Sequence, residues 1–163
     1  AARTTARRGP ICDLGGLELC SLGDNAFAGP IPRNVGKLKA LVELNLSSNH
    51  LTGQLPPSLG ELEHLKFLDL HENQLDGEIP EELGAAAALE RLYLHNNDLT
   101  GFVPKTLGNL IHLKYLYMHN TPLSISPKMP TDPQGELSFR TEAETMRFVS
   151  FLRAGDSACC LLS

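Results

Sequence analysis

Apolar and polar residues follow one another along this chain in a pattern that repeats every 24 positions. Three successive segments show it most clearly: LNLSSNHLTGQLPPSLG (44–60), LDLHENQLDGEIPEELG (68–84) and LYLHNNDLTGFVPKTLG (92–108). Five copies share one polar position, which is occupied in turn by Asn25, Asn49, Asn73, Asn97 and Thr121. No insertion interrupts the pattern from about Leu14 to Leu123. This regularity predicts a stack of nearly identical coils.

Each copy predicts the same local structure. In LDL (68–70) two leucines flank an exposed residue, as a short half-buried strand requires. Strands of successive coils stack at ~4.8 Å, which predicts a parallel sheet along one side. The asparagine turns the chain inward, and its amide can pair with backbone groups of neighbouring coils that would otherwise be buried without a partner. Because one coil cannot cover its own apolar side, the coils must stack and the ends need caps.

The second half of each copy has glycine and proline at fixed places, in AGPIP (28–32), TGQLP (52–56), DGEIP (76–80) and TGFVP (100–104). With the leucines, this line resembles the plant-type leucine-rich repeat, L-x-x-L-x-L-x-x-N-x-L-x-G-x-I-P-x-x-L-G-x-L, over residues 14–123. The resemblance implies an α/β solenoid of about five 24-residue coils, with a parallel concave sheet, a second short strand in each coil and a right-handed twist. It also implies a non-enzymatic recognition role, as in the extracellular domains of plant receptor kinases and in polygalacturonase-inhibiting proteins.

Residues that share a position in successive strands form columns on the exposed face of the predicted sheet. The C-terminal end of this face collects aromatic, imidazole and charged side chains, which we predict to bind a partner: Phe67, Asp69, His71, Arg91, Tyr93, His95, Tyr115, Tyr117 and His119. All three tyrosines of the protein lie there. Exposed aromatic residues beside an arginine are typical of interface hot spots. The alternative is that the aromatic pairs only support the sheet.

One of these columns consists of His71, His95 and His119. Three imidazoles on adjacent strands have the spacing of metal ligands, but a copied repeat also stacks histidines without a metal, so we predict a solvated stack and no metal site. Protonation near pH 6 would give neighbouring rings the same charge, so that they repel one another. We therefore expect binding at this face to weaken at acid pH.

The repeat ends at Leu123, and the remaining residues divide into three parts. Residues 124–140 are predicted to be a proline-rich loop. Residues 141–155 are predicted to be a helix that covers the last coil, because Thr141 and Glu144 form a capping box and Gly155 follows the apolar pattern. Residues 156–163 form a C-terminal tail. At the other end, residues 1–13 are an arm and partial cap.

The four cysteines do not decide whether the protein is cytosolic or secreted. The last four residues, CLLS, match a prenylation motif, which makes Cys160 and the adjacent Cys159 candidates for lipidation and favours a cytosolic location at a membrane. A bridge between Cys12 and Cys20, or a glycan on the Asn45 sequon, would favour secretion instead. Plant receptor domains usually begin with a cap that contains tryptophan, and this chain has none.

Net charge and motifs narrow the range of functions that the sequence favours. A net charge of −5 gives no support for general nucleic-acid binding. No P-loop, HExxH or GxSxG motif is present, so we predict that the protein is not an enzyme and needs no cofactor. The sequence therefore predicts a protein-interaction module, either a scaffold or a recognition subunit, that binds a protein partner through the concave face. Two alternatives remain open: a secreted receptor- or inhibitor-like protein for a cell-wall enzyme or glycan, and a structural subunit of a large complex.

Overall fold

The computed structural model describes residues 15–124, 131, 137–139 and 141–154. These residues form ten strands: β1 (Leu19–Ser21), β2 (Ala28–Gly29), β3 (Glu43–Asn45), β4 (His50–Gln54), β5 (Phe67–Asp69), β6 (Gln74–Glu78), β7 (Arg91–Tyr93), β8 (Asp98–Thr100), β9 (Tyr115–Tyr117) and β10 (Ser138–Phe139). They also form one α-helix, α1 (Glu142–Ala154), and four 3-10 helices, at Val35–Lys37, Pro57–Glu61, Glu81–Ala85 and Lys105–Asn109. The predicted fold class is confirmed.

Two sheets run along the stack of coils. The concave sheet has the order β1-β3-β5-β7-β9-β10, and the second sheet has the order β2-β4-β6-β8. Within each sheet the strands of the repeat pair in parallel, and each residue lies beside its equivalent 24 positions away in the concave sheet. The second short strand that the resemblance implied is therefore present. The 3-10 helices form the remaining side of the coils and pack against one another in sequence.

The core consists of the repeated leucines, which point inward from every side of the coil. In the third copy, for example, Leu62, Leu65, Leu68, Leu70 and Leu75 are fully buried. Full burial of a leucine side chain contributes on the order of 2 kcal/mol. The same positions in the neighbouring copies join them in one continuous cluster. The coils therefore share a single core.

The asparagine ladder forms as predicted. The Asn73 amide nitrogen donates to the carbonyl oxygens of Leu46 in the preceding coil, at 3.0 Å, and of Leu70 and His71 in its own coil, both at 3.2 Å. Its carbonyl oxygen accepts a hydrogen bond from the backbone nitrogen of Leu51, at 3.0 Å. Asn49 and Asn97 repeat this arrangement. The ladder thus satisfies buried backbone groups in two coils at once.

The residue before each ladder position has a left-handed backbone, with φ between 51° and 56° at Asp24, Ser48, Glu72, Asn96 and Asn120. These five residues share one position of the 24-residue repeat, and they lie in the turn after each concave strand. A positive φ costs roughly 1 kcal/mol for most non-glycine residues, so the turn is held by its surroundings, the asparagine ladder included.

The C-terminal end differs from the prediction in one element. Residues 138–139, predicted to be part of a loop, form β10, which pairs antiparallel with β9. The backbone nitrogen of Met118 donates to the Leu137 carbonyl oxygen at 2.8 Å. This short strand covers part of the exposed edge of the last repeat strand.

Helix α1 caps the last coil, as predicted. Its capping box is formed: the Thr141 backbone nitrogen donates to the Glu144 carboxylate at 3.1 Å, and the Glu144 backbone nitrogen donates to the Thr141 hydroxyl at 3.2 Å. Phe148 is fully buried and stacks on Phe139, with ring centroids 4.5 Å apart. The Arg153 guanidinium donates to the Gly108 carbonyl oxygen at 2.8 Å and 3.1 Å. The helix therefore closes the apolar end of the stack.

Candidate partner-binding surface

The parallel register brings the predicted columns together on the concave sheet. Phe67, Arg91 and Tyr115 are register partners on β5, β7 and β9. Two residues further along the same strands, Asp69 lies beside Tyr93 and Tyr93 beside Tyr117. Their adjacency follows from the 24-residue period, because every coil has the same length.

Five of these side chains form what we call the aromatic patch: Phe67, Arg91, Tyr93, Tyr115 and Tyr117. Phe67 meets Tyr93 edge to face, with centroids 5.4 Å apart, and Tyr93 stacks on Tyr117 at 4.8 Å. The Arg91 guanidinium carbon lies 4.6 Å from the centroid of the Phe67 ring. Contacts of these kinds contribute about 0.5–1.5 kcal/mol each. Phe67, Arg91, Tyr93 and Tyr117 are thus held in place by contacts with one another.

The side chains of the aromatic patch differ in how far they are exposed to solvent. Arg91 and Tyr115 are exposed, the latter to 37%. Phe67, Tyr93 and Tyr117 are half-buried. Burial raises the pKa of the Tyr93 phenol, so this side chain stays neutral at ordinary pH. None of the ion pairs found among the described residues involves Arg91, and its guanidinium can donate to a partner.

The histidine stack consists of His71, His95 and His119, next to the aromatic patch. The rings of His71 and His95 are 4.7 Å apart and almost parallel, at 2°, and those of His95 and His119 are 4.6 Å apart at 21°. Tyr93 and Tyr117 contact the central ring edge to face, at 6.3 Å and 5.8 Å. Burial, with the charge of the neighbouring imidazoles, lowers the pKa of His95 to about 4.

Asp69 is the predicted binding residue whose position differs most from the expectation. It is 5% exposed, and its carboxylate lies 2.6 Å from Nδ1 of His71. The same carboxylate oxygen accepts a hydrogen bond from the His71 backbone nitrogen at 3.2 Å. Asp69 thus orients His71 and has little surface of its own. In the next two coils Tyr93 and Tyr117 stand in its place, and Nδ1 of His95 and of His119 is buried without a hydrogen-bond partner among the described residues.

Two further polar columns border the surface, and neither was among the residues that we predicted to bind a partner. On one side, Glu90 pairs with Lys114 at 2.7 Å and lies 3.9 Å from Lys66, and the Lys114 ammonium holds the pKa of that carboxyl below its usual range. On the other side, the Ser48 hydroxyl donates to Glu72 at 3.1 Å. Both columns could have been found from the sequence, because their residues recur every 24 positions.

Some of the other predicted sites lie among the described residues, and others lie outside them. Among the described residues, no group of three or more His, Cys, Asp or Glu side chains is arranged to hold a metal ion. Cys20 is a buried free thiol, and burial raises its pKa. Cys12 and the lipidation candidates Cys159 and Cys160 lie outside the described residues. No helix in the described part of the chain combines the length and apolarity of a membrane span.

Comparison with known proteins points to one family. The family described as Leucine Rich Repeat matches residues 40–62, 64–86 and 88–110. No curated protein sequence matches the chain. Many solved structures do, and those named below are receptor ectodomains or parts of receptor complexes.

Three solved structures from Arabidopsis thaliana illustrate the similarity. The ectodomain of the membrane receptor kinase GASSHO1/SCHENGEN3, in complex with CASPARIAN STRIP INTEGRITY FACTOR 2, is 37% identical over 69% of this chain and 14% of that one, with a TM-score of 0.69. The receptor kinase HAESA, in complex with the peptide hormone IDA and the co-receptor SERK1, is 38% identical over 69% and 19%, with a TM-score of 0.67. The BIR2 ectodomain is 35% identical over 64% and 55%, with a TM-score of 0.62. This chain therefore spans between about a seventh and about half of these proteins.

Proposed function

Because the chain belongs to the plant-type leucine-rich repeat proteins, we propose that it is a non-catalytic recognition module that binds a protein or peptide through the aromatic patch. The observation that carries this proposal is the preordered cluster of Phe67, Tyr93 and Tyr117 with Arg91 above the Phe67 ring. Tyrosine and arginine dominate interface hot spots, and rings already held in place lose little entropy on binding.

An extracellular, receptor- or inhibitor-like role is better supported than a cytosolic scaffold. The similar structures named above are ectodomains or receptor complexes, and two of them hold another protein or a peptide. The lipid-anchored alternative depends on Cys159 and Cys160, which lie outside the described residues. A structural subunit would use the 3-10 helix side and the ends of the stack, where the described residues form no comparable exposed aromatic cluster and the stacked pair Phe139 and Phe148 is buried.

A random-peptide display selection tests the proposal directly. Peptides are selected on the full-length protein at pH 7.5, and the double variant Tyr93→Ala/Tyr117→Ala is then assayed with them. We expect binding to fall at least about 30-fold, since a hot-spot residue contributes about 2 kcal/mol or more. The control is Phe102→Ala, which removes an exposed ring outside the concave sheet and should leave binding unchanged.

Thermal unfolding of both variants shows whether the fold is retained. Selected peptides that bind the double variant as tightly as the wild-type protein would show that the aromatic patch is not the site.

A further inference from the structure

We propose that Arg91 and Lys66 hold an acidic side chain of the partner beside the Phe67 ring. The inference rests on the proposed function, because it concerns the same patch. It goes further by stating the chemistry of the partner, which is an extended segment with an aspartate or glutamate two positions from an apolar residue.

Arg91 is a cation that is held in place without an acidic partner. Its guanidinium carbon lies 4.6 Å from the centroid of the Phe67 ring. A guanidinium that lies on an aromatic ring keeps the N–H groups at its edges free, and their planar arrangement matches the two oxygens of a carboxylate. None of the ion pairs in the described part of the chain includes Arg91. Arg91 can therefore take a carboxylate from outside.

Lys66 is a second cation at the same place. It directly precedes Phe67, and its side chain is 58% exposed. Its ammonium lies 3.9 Å from the Glu90 carboxylate, which is closer to Lys114, at 2.7 Å. Because one carboxylate cannot neutralise two ammonium groups, Lys66 keeps most of its capacity to bind an anion.

Glu43 limits where the acidic side chain of the partner can lie. It is the register partner of Phe67 on β3, whereas Arg91 is the register partner of Phe67 on β7. Its carboxylate repels another carboxylate, while Arg91 and Lys66 attract one. The acidic side chain therefore lies on the β7 side of the Phe67 ring.

The carboxylate that fits here belongs to a side chain and not to a chain terminus. Proteins that hold a terminal carboxylate use a nest of free backbone N–H groups. Here the backbone nitrogens of Lys66, Phe67 and Arg91 all donate to the carbonyl oxygens of Val42 and Lys66, at distances between 2.8 Å and 3.2 Å. At this point of the described surface, side chains therefore remain as the donors.

The tyrosines set the position of an apolar residue relative to the acidic one. Arg91 and Tyr93 are two positions apart on β7, so they lie on one face about 6.8 Å apart along the strand. Alternate side chains of an extended peptide have the same spacing. Tyr93 also contacts Phe67 and Tyr117, which makes the apolar area continuous with the acid site. An acidic residue two positions from an apolar residue therefore matches the patch.

The first test examines the peptides selected at pH 7.5 on the full-length protein, synthesised with an amidated C-terminus. We expect those that depend on Tyr93 and Tyr117 to contain aspartate or glutamate two positions from an apolar residue. Replacing that acid with asparagine or glutamine in the peptide should weaken binding about ten-fold or more, as is typical when a charge-assisted hydrogen bond is lost.

The second test repeats this comparison on the variant Lys66→Gln/Arg91→Gln. We expect the acidic and the neutral peptide to bind it within about two-fold of each other, because the carboxylate has lost its partners. The matched control Arg33→Gln/Lys37→Gln removes two positive charges from exposed side chains outside the concave sheet. It should distinguish the two peptides as the wild-type protein does, and thermal unfolding of both variants checks that the fold is retained.

Equal binding of the acidic and the neutral peptide to the wild-type protein would overturn this proposal and leave the proposed function intact. A difference that persists in the Lys66→Gln/Arg91→Gln variant would also overturn it, because the carboxylate would then be bound elsewhere. Peptides that bind only with a free C-terminus would overturn it as well. A selection that yields no peptide dependent on Tyr93 and Tyr117 would contradict the proposed function and, with it, the acidic contact.

Discussion

At the scale of single residues, one amide does most to connect neighbouring coils. Asn73 donates to three carbonyl oxygens and accepts from one backbone nitrogen, and these four groups belong to two coils. Thr121, in the last copy, donates to the Met118 carbonyl oxygen at 2.6 Å, and among the described residues its hydroxyl makes no hydrogen bond to the preceding coil. The ladder therefore ends at Asn97.

Asn73→Ala should destabilise the protein by about 2–4 kcal/mol, because it leaves several buried backbone groups without a partner. Urea-induced unfolding gives this free energy. Asn25→Ala is the matched control, since Asn25 is exposed and, within the described part of the chain, its side chain donates only to carbonyl oxygens of its own coil. We expect that control to lose less than about 1 kcal/mol. Similar losses in the two variants would show that contacts between coils do not explain the stability of the ladder.

At the scale of elements, the 3-10 helices pack so closely that glycine is needed where they meet. A Cβ atom added at Gly60 would overlap the carbonyl oxygen of Glu82 in the next coil, and one at Gly84 would overlap that of Thr106. The sequence shows these glycines as a constant part of the repeat. Glycine is needed at these positions because two backbones approach closely. That approach is seen only once the coils are stacked.

Gly60→Ala should therefore cost about 1–3 kcal/mol, the usual range for forcing extra volume into a packed core. A thermal unfolding curve checks this, with Gly15→Ala as the control, because no atom of the described residues lies within 4 Å of a Cβ atom added there. A Gly60→Ala protein as stable as the wild type would mean that the 3-10 helices can move apart freely.

The sequence predicted the elements that the period controls and missed those that depend on contacts between distant segments. Strand register and the concave columns follow from coil length alone, and α1 follows from its capping box. Strand β10 has two residues and forms because β9 offers an unpaired edge. The left-handed turn at Glu72 has no local signal either, since glutamate does not favour a positive φ. On the concave face, the 24-residue period predicted that Asp69 lies beside Tyr93. It could not show that the Asp69 carboxylate is buried and lies against the His71 ring.

At the scale of the whole molecule, the described residues form one continuous core with most of its aromatic surface at one end. The leucines are alike from coil to coil, whereas the exposed columns change from small polar residues at the N-terminal end to tyrosine, histidine and arginine at the C-terminal end. The repeat therefore supplies the core, and the variable positions supply the surface for which we propose a recognition role. Helix α1 and β10 close the stack next to that surface.

The most direct test of this account is to map, by NMR, which backbone amides shift when a selected peptide is added to the full-length protein. We expect the largest changes on residues 67–71, 91–95 and 115–119, the segments that hold the aromatic patch and the histidine stack. Largest changes on the 3-10 helices or on the second sheet would contradict the claim that the concave face is the recognition surface.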